Sequence, residues 1–321
     1  MKKPTGAAAL PMLNMGRMSG RYILRSMAKH WQIYLLLLLP LAWYIIFAYM
    51  PMGGLQLAFK KYMPRQGVWG SPWIGLTNFK NIFVDPAFMR SIWRTLSINI
   101  FRLLFVFPFP IILALLLNEM RGRRYKRVLQ TVMTFPNFLS WVIVSSILTN
   151  VLASDGLVNS LLRVLGLGNV SFLGNESLFQ PMLYITDIWK SCGWSMIVYL
   201  AAISGIDQEQ YEAAEIDGAT HWQKMMHITL PNLMPTIIIM FILATGGLMS
   251  AGFDQIFNLS NSATKNVAET LDMYIYRITF LSAPNYGLST AISLMRSVVN
   301  MALLLLADRG AKLMGGSGLF A

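Results

Sequence analysis

Charge is scarce in this chain, and cysteine and histidine are nearly absent. Only 12% of its 321 residues are charged while 55% are hydrophobic. Soluble globular domains, about a quarter charged, do not combine those figures, so a soluble fold is excluded. The single cysteine, Cys192, rules out a disulfide framework and a Cys-based metal site. In its apolar run it reads as a small buried hydrophobe. The histidines His30, His221 and His227 are not spaced for a metal, so none is expected. Equally missing are a Gly-x-x-x-x-Gly-Lys-Ser/Thr phosphate loop, a His-Glu-x-x-His pair and a Gly-x-Ser-x-Gly turn. No catalytic residue stands out, and the chain lacks the means to hydrolyse a nucleotide itself.

What is present is apolar length. A helix crossing the hydrocarbon core needs roughly twenty mostly apolar residues that satisfy their own backbone. Six windows qualify, spanning residues 33–50, 96–117, 132–152, 182–203, 236–257 and 286–306. The fold expected is therefore all-α and polytopic, with about six transmembrane helices. The first run lacks a small-residue cleavage site after it and is read as retained. The net charge of +12 does not point to nucleic acid, because the basic residues sit between apolar runs and not on an aromatic-interleaved face. Arg121, Arg123, Arg124, Lys126 and Arg127 crowd one short loop, and Lys2 to Lys29 flank the first run, which places both termini in the cytoplasm. The domains expected are a basic cytoplasmic segment over residues 1–31, a transmembrane domain over 32–307 and a flexible cytoplasmic tail over 308–321.

Helix breakers mark two spans. Pro108 and Pro110 remove backbone donors and are expected to kink the second helix, and Pro136 the third. Small residues in the fifth, Gly246, Gly247, Ser250, Ala251 and Gly252, are expected to let a neighbouring helix pack closely.

The segment 205–235, between the fourth and fifth spans, reverses the charge of the rest of that face. Asp207, Glu209, Glu212, Glu215 and Asp217 stand against one Lys224 up to Pro231. Asp207 is a good N-cap with Gln210 three residues on, and Gly218 supplies a stop. Thr220 and Gln223 have the capping-box spacing, and Trp222, Met225, Met226 and Thr229 fall on one helical face. Two short helices hinged at Gly218 result. A hairpin resting on lipid would carry Lys and Arg on its polar face. The acidic bias instead fits docking to a basic protein surface.

Glu212-Ala213-Ala214, Asp217-Gly218-Ala219, Ile228, Leu230 and Pro231 resemble the EAA signature of permease subunits of binding-protein-dependent ABC importers, in the maltose-transporter-type carbohydrate group. Residues 54–61 and 70–79 are similar to an oligosaccharide subgroup. Met225 departs from the pattern, standing where the family usually has Phe. The resemblance implies a type I importer permease in a prokaryotic plasma or inner membrane. It implies that Glu212, Ala213, Ala214, Asp217, Gly218 and Ala219 couple to a cytoplasmic ATPase dimer, with Trp222, Met225, Ile228, Leu230 and Pro231 anchoring that segment. It further implies a second, related permease subunit and an extracytoplasmic binding protein delivering an oligosaccharide. This chain then binds no cofactor, and ATP and magnesium belong to the ATPase. The rival reading is an ion-coupled secondary transporter, which would show paired halves with interrupted helices and membrane-buried acids.

Ionisable residues inside spans are costly and mark substrate paths or partners. Arg102, Asp187, Lys190 and Arg296 qualify, with Trp194 nearby to stack on a sugar ring; Asp254 lies near the outer end of the fifth span. The spacing of Asp187 and Lys190 permits a self-contained pair, Arg102 has room to snorkel outward, and Arg296 is central enough to need a polar cavity or an interhelical partner. Cations outnumber acids along this path, which points to an anionic, uronate-containing oligosaccharide.

Overall fold

The computed structural model describes residues 29–313, 315–316 and 318–320. The basic segment expected over residues 1–31 lies almost wholly outside them. Among the described residues the secondary structure is helical, apart from one isolated bridge between Lys60 and Trp73.

The principal helices, in chain order, are α1 (Trp31–Phe59), α2 (Thr77–Val84), α3 (Pro86–Glu119), α4 (Arg123–Thr134), α5 (Trp141–Val164, interrupted at residues 153–156), α6 (Glu176–Ser204), α7 (Gln208–Ile216), α8 (His221–Thr245), α9 (Phe253–Leu259), α10 (Leu271–Tyr276) and α11 (Tyr286–Leu313). Five of them, α1, α3, α5, α8 and α11, are long and apolar enough to cross a membrane. The remaining expected span lies within α6, whose 29 residues would reach roughly 43 Å. Its polar side chains, Asp187 and Lys190 among them, leave it less apolar than the other five.

Described residues up to Gln56 form one compact unit and those from Leu57 onward another. The first is dominated by α1, which is apolar on every face, with no buried residue from Trp31 to Tyr44. That is the pattern of a helix solvated by lipid. The second unit is built around α3, along which three apolar clusters are stacked. Phe88 belongs to the first, with Ile82, Tyr274 and Ile292. Ile98 joins Phe179, Leu183 and Ile256 in the second, and Ala114 and Leu117 join Met196, Tyr199 and Leu233 in the third. Helix α6 packs closely against the end of α4 at Gly193, where an added Cβ would overlap the Met133 carbonyl.

The expected kink at Pro108 takes a definite form. Three of the four π-helical turns among the described residues, Ile45–Tyr49, Arg102–Val106 and Met225–Thr229, each end two residues before a proline, Pro51, Pro108 and Pro231; the fourth is Arg277–Leu281. A proline ring collides with the carbonyl four residues earlier. That residue, Phe47, Leu104 or His227, lies in the middle of the widened turn, so the extra residue moves the carbonyl away.

Two expected spans differ in outline. The window at 132–152 is divided by a tight turn at Phe135–Phe138, where Pro136 ends α4 before α5 begins at Trp141. The window at 236–257 ends as helix at Thr245; residues 246–252 are unwound, and α9 begins at Phe253. Of the small residues, Gly246 packs closely on a neighbouring helix, its Cβ direction blocked by Leu304 of α11, and Ala251, in the unwound stretch, is fully buried in the second apolar cluster. At the other end of the chain α11 continues past residue 307 to Leu313, and Asp308 pairs with Lys312 at 3.2 Å.

Candidate functional site

The segment between α6 and α8 folds as its local signals dictate. Asp207 accepts from the Glu209 amide at 3.1 Å and starts α7. Gly218, at φ +76°, ends it in the left-handed region, while the Ala219 amide closes back on the Ala214 carbonyl at 2.9 Å. Thr220 and Gln223 then form the expected capping box, their bonds measuring 2.8 and 3.3 Å. Gln210 makes no such box at the start of α7. It accepts instead from Asn232 of α8 at 3.0 Å, and the Tyr211 hydroxyl meets the Thr229 hydroxyl at 2.9 Å.

Those two contacts hold one side of α7 on α8 and leave the other side bare. Glu212, Ala213, Glu215, Asp217 and Gly218 are exposed, and Ala214 and Ala219 are half-buried. Ile216 is 87% exposed at the tip, a position the sequence reading passed over. Its i, i+4 relation to Glu212 was the available signal. Of the anchoring residues, Met225 is buried, Ile228 and Leu230 are half-buried, and Trp222 and Pro231 are exposed. Beneath the segment, a cavity of about 600 Å3 is lined by Glu119, Lys126, Tyr211, His221 and Lys224, among others. His221 approaches Glu119 at 3.3 Å, and Lys224 approaches Glu215 at 3.4 Å.

Arg296 apart, the ionisable residues within the spans meet different partners from those anticipated. Asp187 does not pair with Lys190. It lies 3.3 Å from the Arg102 guanidinium and accepts from Ser191 at 3.0 Å, while Lys190 donates to the Asn137 carbonyl at 2.9 Å and sits over the Trp141 ring. Nor does Arg102 snorkel outward, because its side chain is only 15% exposed. Its guanidinium donates to the Ala251 carbonyl at 2.6 Å and to Gln255, which itself donates to Leu183 and Thr186 of α6. Arg296 of α11 pairs with Asp272 of α10, the interhelical partner expected of it. Trp194 stays half exposed, edge-on to Phe138.

Arg102 and Asp272, the partner of Arg296, both reach the unwound residues 246–252. Asn99 donates to the carbonyls of Leu248 and Ser250 at 2.7 and 3.2 Å. Asn300 accepts from the Met249 amide at 3.0 Å and Asp272 from the Ala251 amide at 3.1 Å. Backbone freed from a helix inside a bundle must find such partners or pay several kcal/mol per group. Gly252, at φ +76°, brings the chain against the Arg102 guanidinium, 3.4 Å from where a Cβ would stand.

Lipid-length helices, an acidic hairpin before α8 and a polar-braced break after it are the features of a membrane transport component. The chain belongs to the family described as binding-protein-dependent transport system inner membrane component, which matches residues 107–312. It is 42% identical over 311 residues to protein LplB of Bacillus subtilis (strain 168), covering 97% of each chain. It is 39% identical over 289 residues to the polygalacturonan/rhamnogalacturonan transport system permease protein YteP of the same organism, covering 90% of each. Its structure superposes, with a TM-score of 0.82 and 37% identity, on a chain of a bacterial ABC transporter involved in the import of the acidic polysaccharide alginate, covering 90% of this chain and 98% of that one. The chain is therefore a multi-pass permease subunit of the ABC importer class, a transport component whose family leaves ATP hydrolysis to a separate subunit.

Proposed function

We propose that this permease carries uronate-containing oligosaccharides across a prokaryotic plasma membrane, from an extracytoplasmic binding protein to the cytoplasm. In this reading it pairs with a second, related permease, and a dimeric ATPase that holds the ATP and magnesium docks on Glu212, Ala213, Ala214, Asp217, Gly218 and Ala219. The observation that carries the coupling role is the bare acidic side of α7, fixed to α8 at Gln210 and Tyr211 and ending at a left-handed glycine. A rigid lever of this kind passes a partner's movement into the helix it is bonded to, and ATP-driven closure then biases a two-state change of the spans.

The substrate class is supported by the relatives, two of which handle acidic polysaccharides by their descriptions. The intramembrane cations support it less than their number implied, because Arg102 and Arg296 are each paired with a carboxylate. Of the three, Lys190 is the one paired with no carboxylate of the described residues, its ammonium held by the Asn137 carbonyl.

Reconstitution of the assembled complex in vesicles tests this reading. Labelled oligogalacturonate should enter only with ATP, the ATPase and the binding protein all present. Uptake by this chain driven by a proton gradient without an ATPase would establish the secondary-transporter alternative.

A further inference from the structure

At the end of the bundle opposite α7, between α9 and the residues following α10, lies a cleft of about 320 Å3. This is the lower end of the size range for a site that encloses a small ligand. Two aromatic rings, Phe257 and Tyr276, line one wall 5.2 Å apart, and behind them Phe253 stacks on Phe257 at 5.1 Å while Phe280 meets Tyr276 at 5.5 Å. Phe257 is 41% exposed and Phe280 68% exposed.

The other wall is polar and charged. Arg277 and Glu269 form a close pair at 2.6 Å, with the guanidinium also over the Tyr274 ring. Asn261 is exposed there, held by a 2.6 Å bond to the Leu173 carbonyl. Lys265 lines the same cleft and is exposed, and its side chain makes no ion pair or hydrogen bond with the described residues. With Glu269 satisfied by Arg277, the cleft keeps one uncompensated positive charge.

An aromatic belt at a membrane interface would account for the rings alone. It does not account for a paired Arg and Glu, an Asn and an unpartnered Lys facing the same space. A flat apolar surface beside planar polar groups is the chemistry that holds a pyranose, whose C–H face lies on a ring while its hydroxyls bond at the edge. The spare ammonium adds a site for a carboxylate.

We propose that this cleft is a saccharide subsite, taking one uronate ring against Phe257 and Tyr276 with its carboxylate at Lys265. The proposal rests on the oligosaccharide reading above and places a first contact for the cargo at this mouth of the permease.

The test uses the complete transporter in vesicles with its binding protein, a labelled galacturonate trisaccharide and a neutral trisaccharide of equal length. Lys265→Gln, at an exposed position without partners, should raise the apparent KM for the galacturonate about tenfold, the loss expected of one charge-assisted hydrogen bond. Phe257→Leu keeps apolar bulk but removes the ring face and should raise it several-fold. Affinity for the ligand-free binding protein should not move. An unchanged KM in both variants would overturn the subsite while leaving the transport reading intact, as would an equal loss of affinity for the ligand-free binding protein, which would make the cleft a protein contact. If the unmodified complex carries neither sugar, both readings fall.

Discussion

Gly218→Val should uncouple the transporter. The residue stands at φ +76°, where an L side chain costs about 1–2 kcal/mol and a β-branched one more. Nothing lies within 4 Å of the position a Cβ would take, so the penalty is conformational and not steric. Valine would force the turn between α7 and α8 to a new path and move Glu212 to Ala219 off the position proposed for docking. Uptake should fall more than tenfold with the complex still assembled in the membrane and ATP hydrolysis losing its dependence on loaded binding protein. Gly218→Asn, which tolerates left-handed backbone, should retain most of the activity. Equal activity in the valine and asparagine variants would show that the shape of this turn does not matter.

The second large effect lies at Arg102. Replacement by methionine keeps much of the stem and removes the guanidinium from a hub that ties α3 to Asp187 of α6, Gln255 of α9 and the Ala251 carbonyl. The partners left behind are largely buried, Asp187 being 21% exposed and Gln255 2%. Breaking one member of such a buried ionic set costs about 3–5 kcal/mol, because an uncompensated charge remains. The expected result is a lower midpoint of thermal unfolding in detergent and reduced accumulation in the membrane. Arg102→Lys should recover only part of the loss, since a single ammonium cannot reach the acceptors that the guanidinium fork serves. If Arg102→Met matches the unmodified protein in both measurements, the polar brace is not what holds the unwound segment.

These two sites differ in how far the sequence disclosed them. The hairpin is local: Asp207 caps α7, Gly218 stops it and Thr220 with Gln223 starts α8, each over a few residues of chain. Patterns of that range can be read directly. The brace depends on contacts between residues far apart in sequence, such as Asn99 with Leu248 and Arg102 with Gln255, whose separations are 149 and 153. Nothing near Asp187 along the chain reveals that Arg102 will reach it in place of Lys190, which is only one turn away.

The run of small residues misled for a related reason. Glycine permits close packing and also permits unwinding, and composition does not distinguish them. Neighbouring polar side chains decide the matter, since Asn99, Asp272 and Asn300 supply the bonds that the helix gives up over residues 246–252. The π turns were legible in part. A proline within a span marks a disturbance, but whether it bends the helix or widens it depends on the packing around the displaced carbonyl.

The central claim is that the exposed side of α7 is where a motor subunit drives this permease. Site-directed cross-linking tests it most directly, and the sequence makes the experiment clean because the single native cysteine, Cys192, is buried. Cysteine placed at Ala213, on the exposed side of α7, should cross-link to a soluble ATPase subunit in the assembled complex. Cysteine at Asp254, in α9 toward the opposite end, should not. Cross-linking at Asp254 and none at Ala213 would contradict the account.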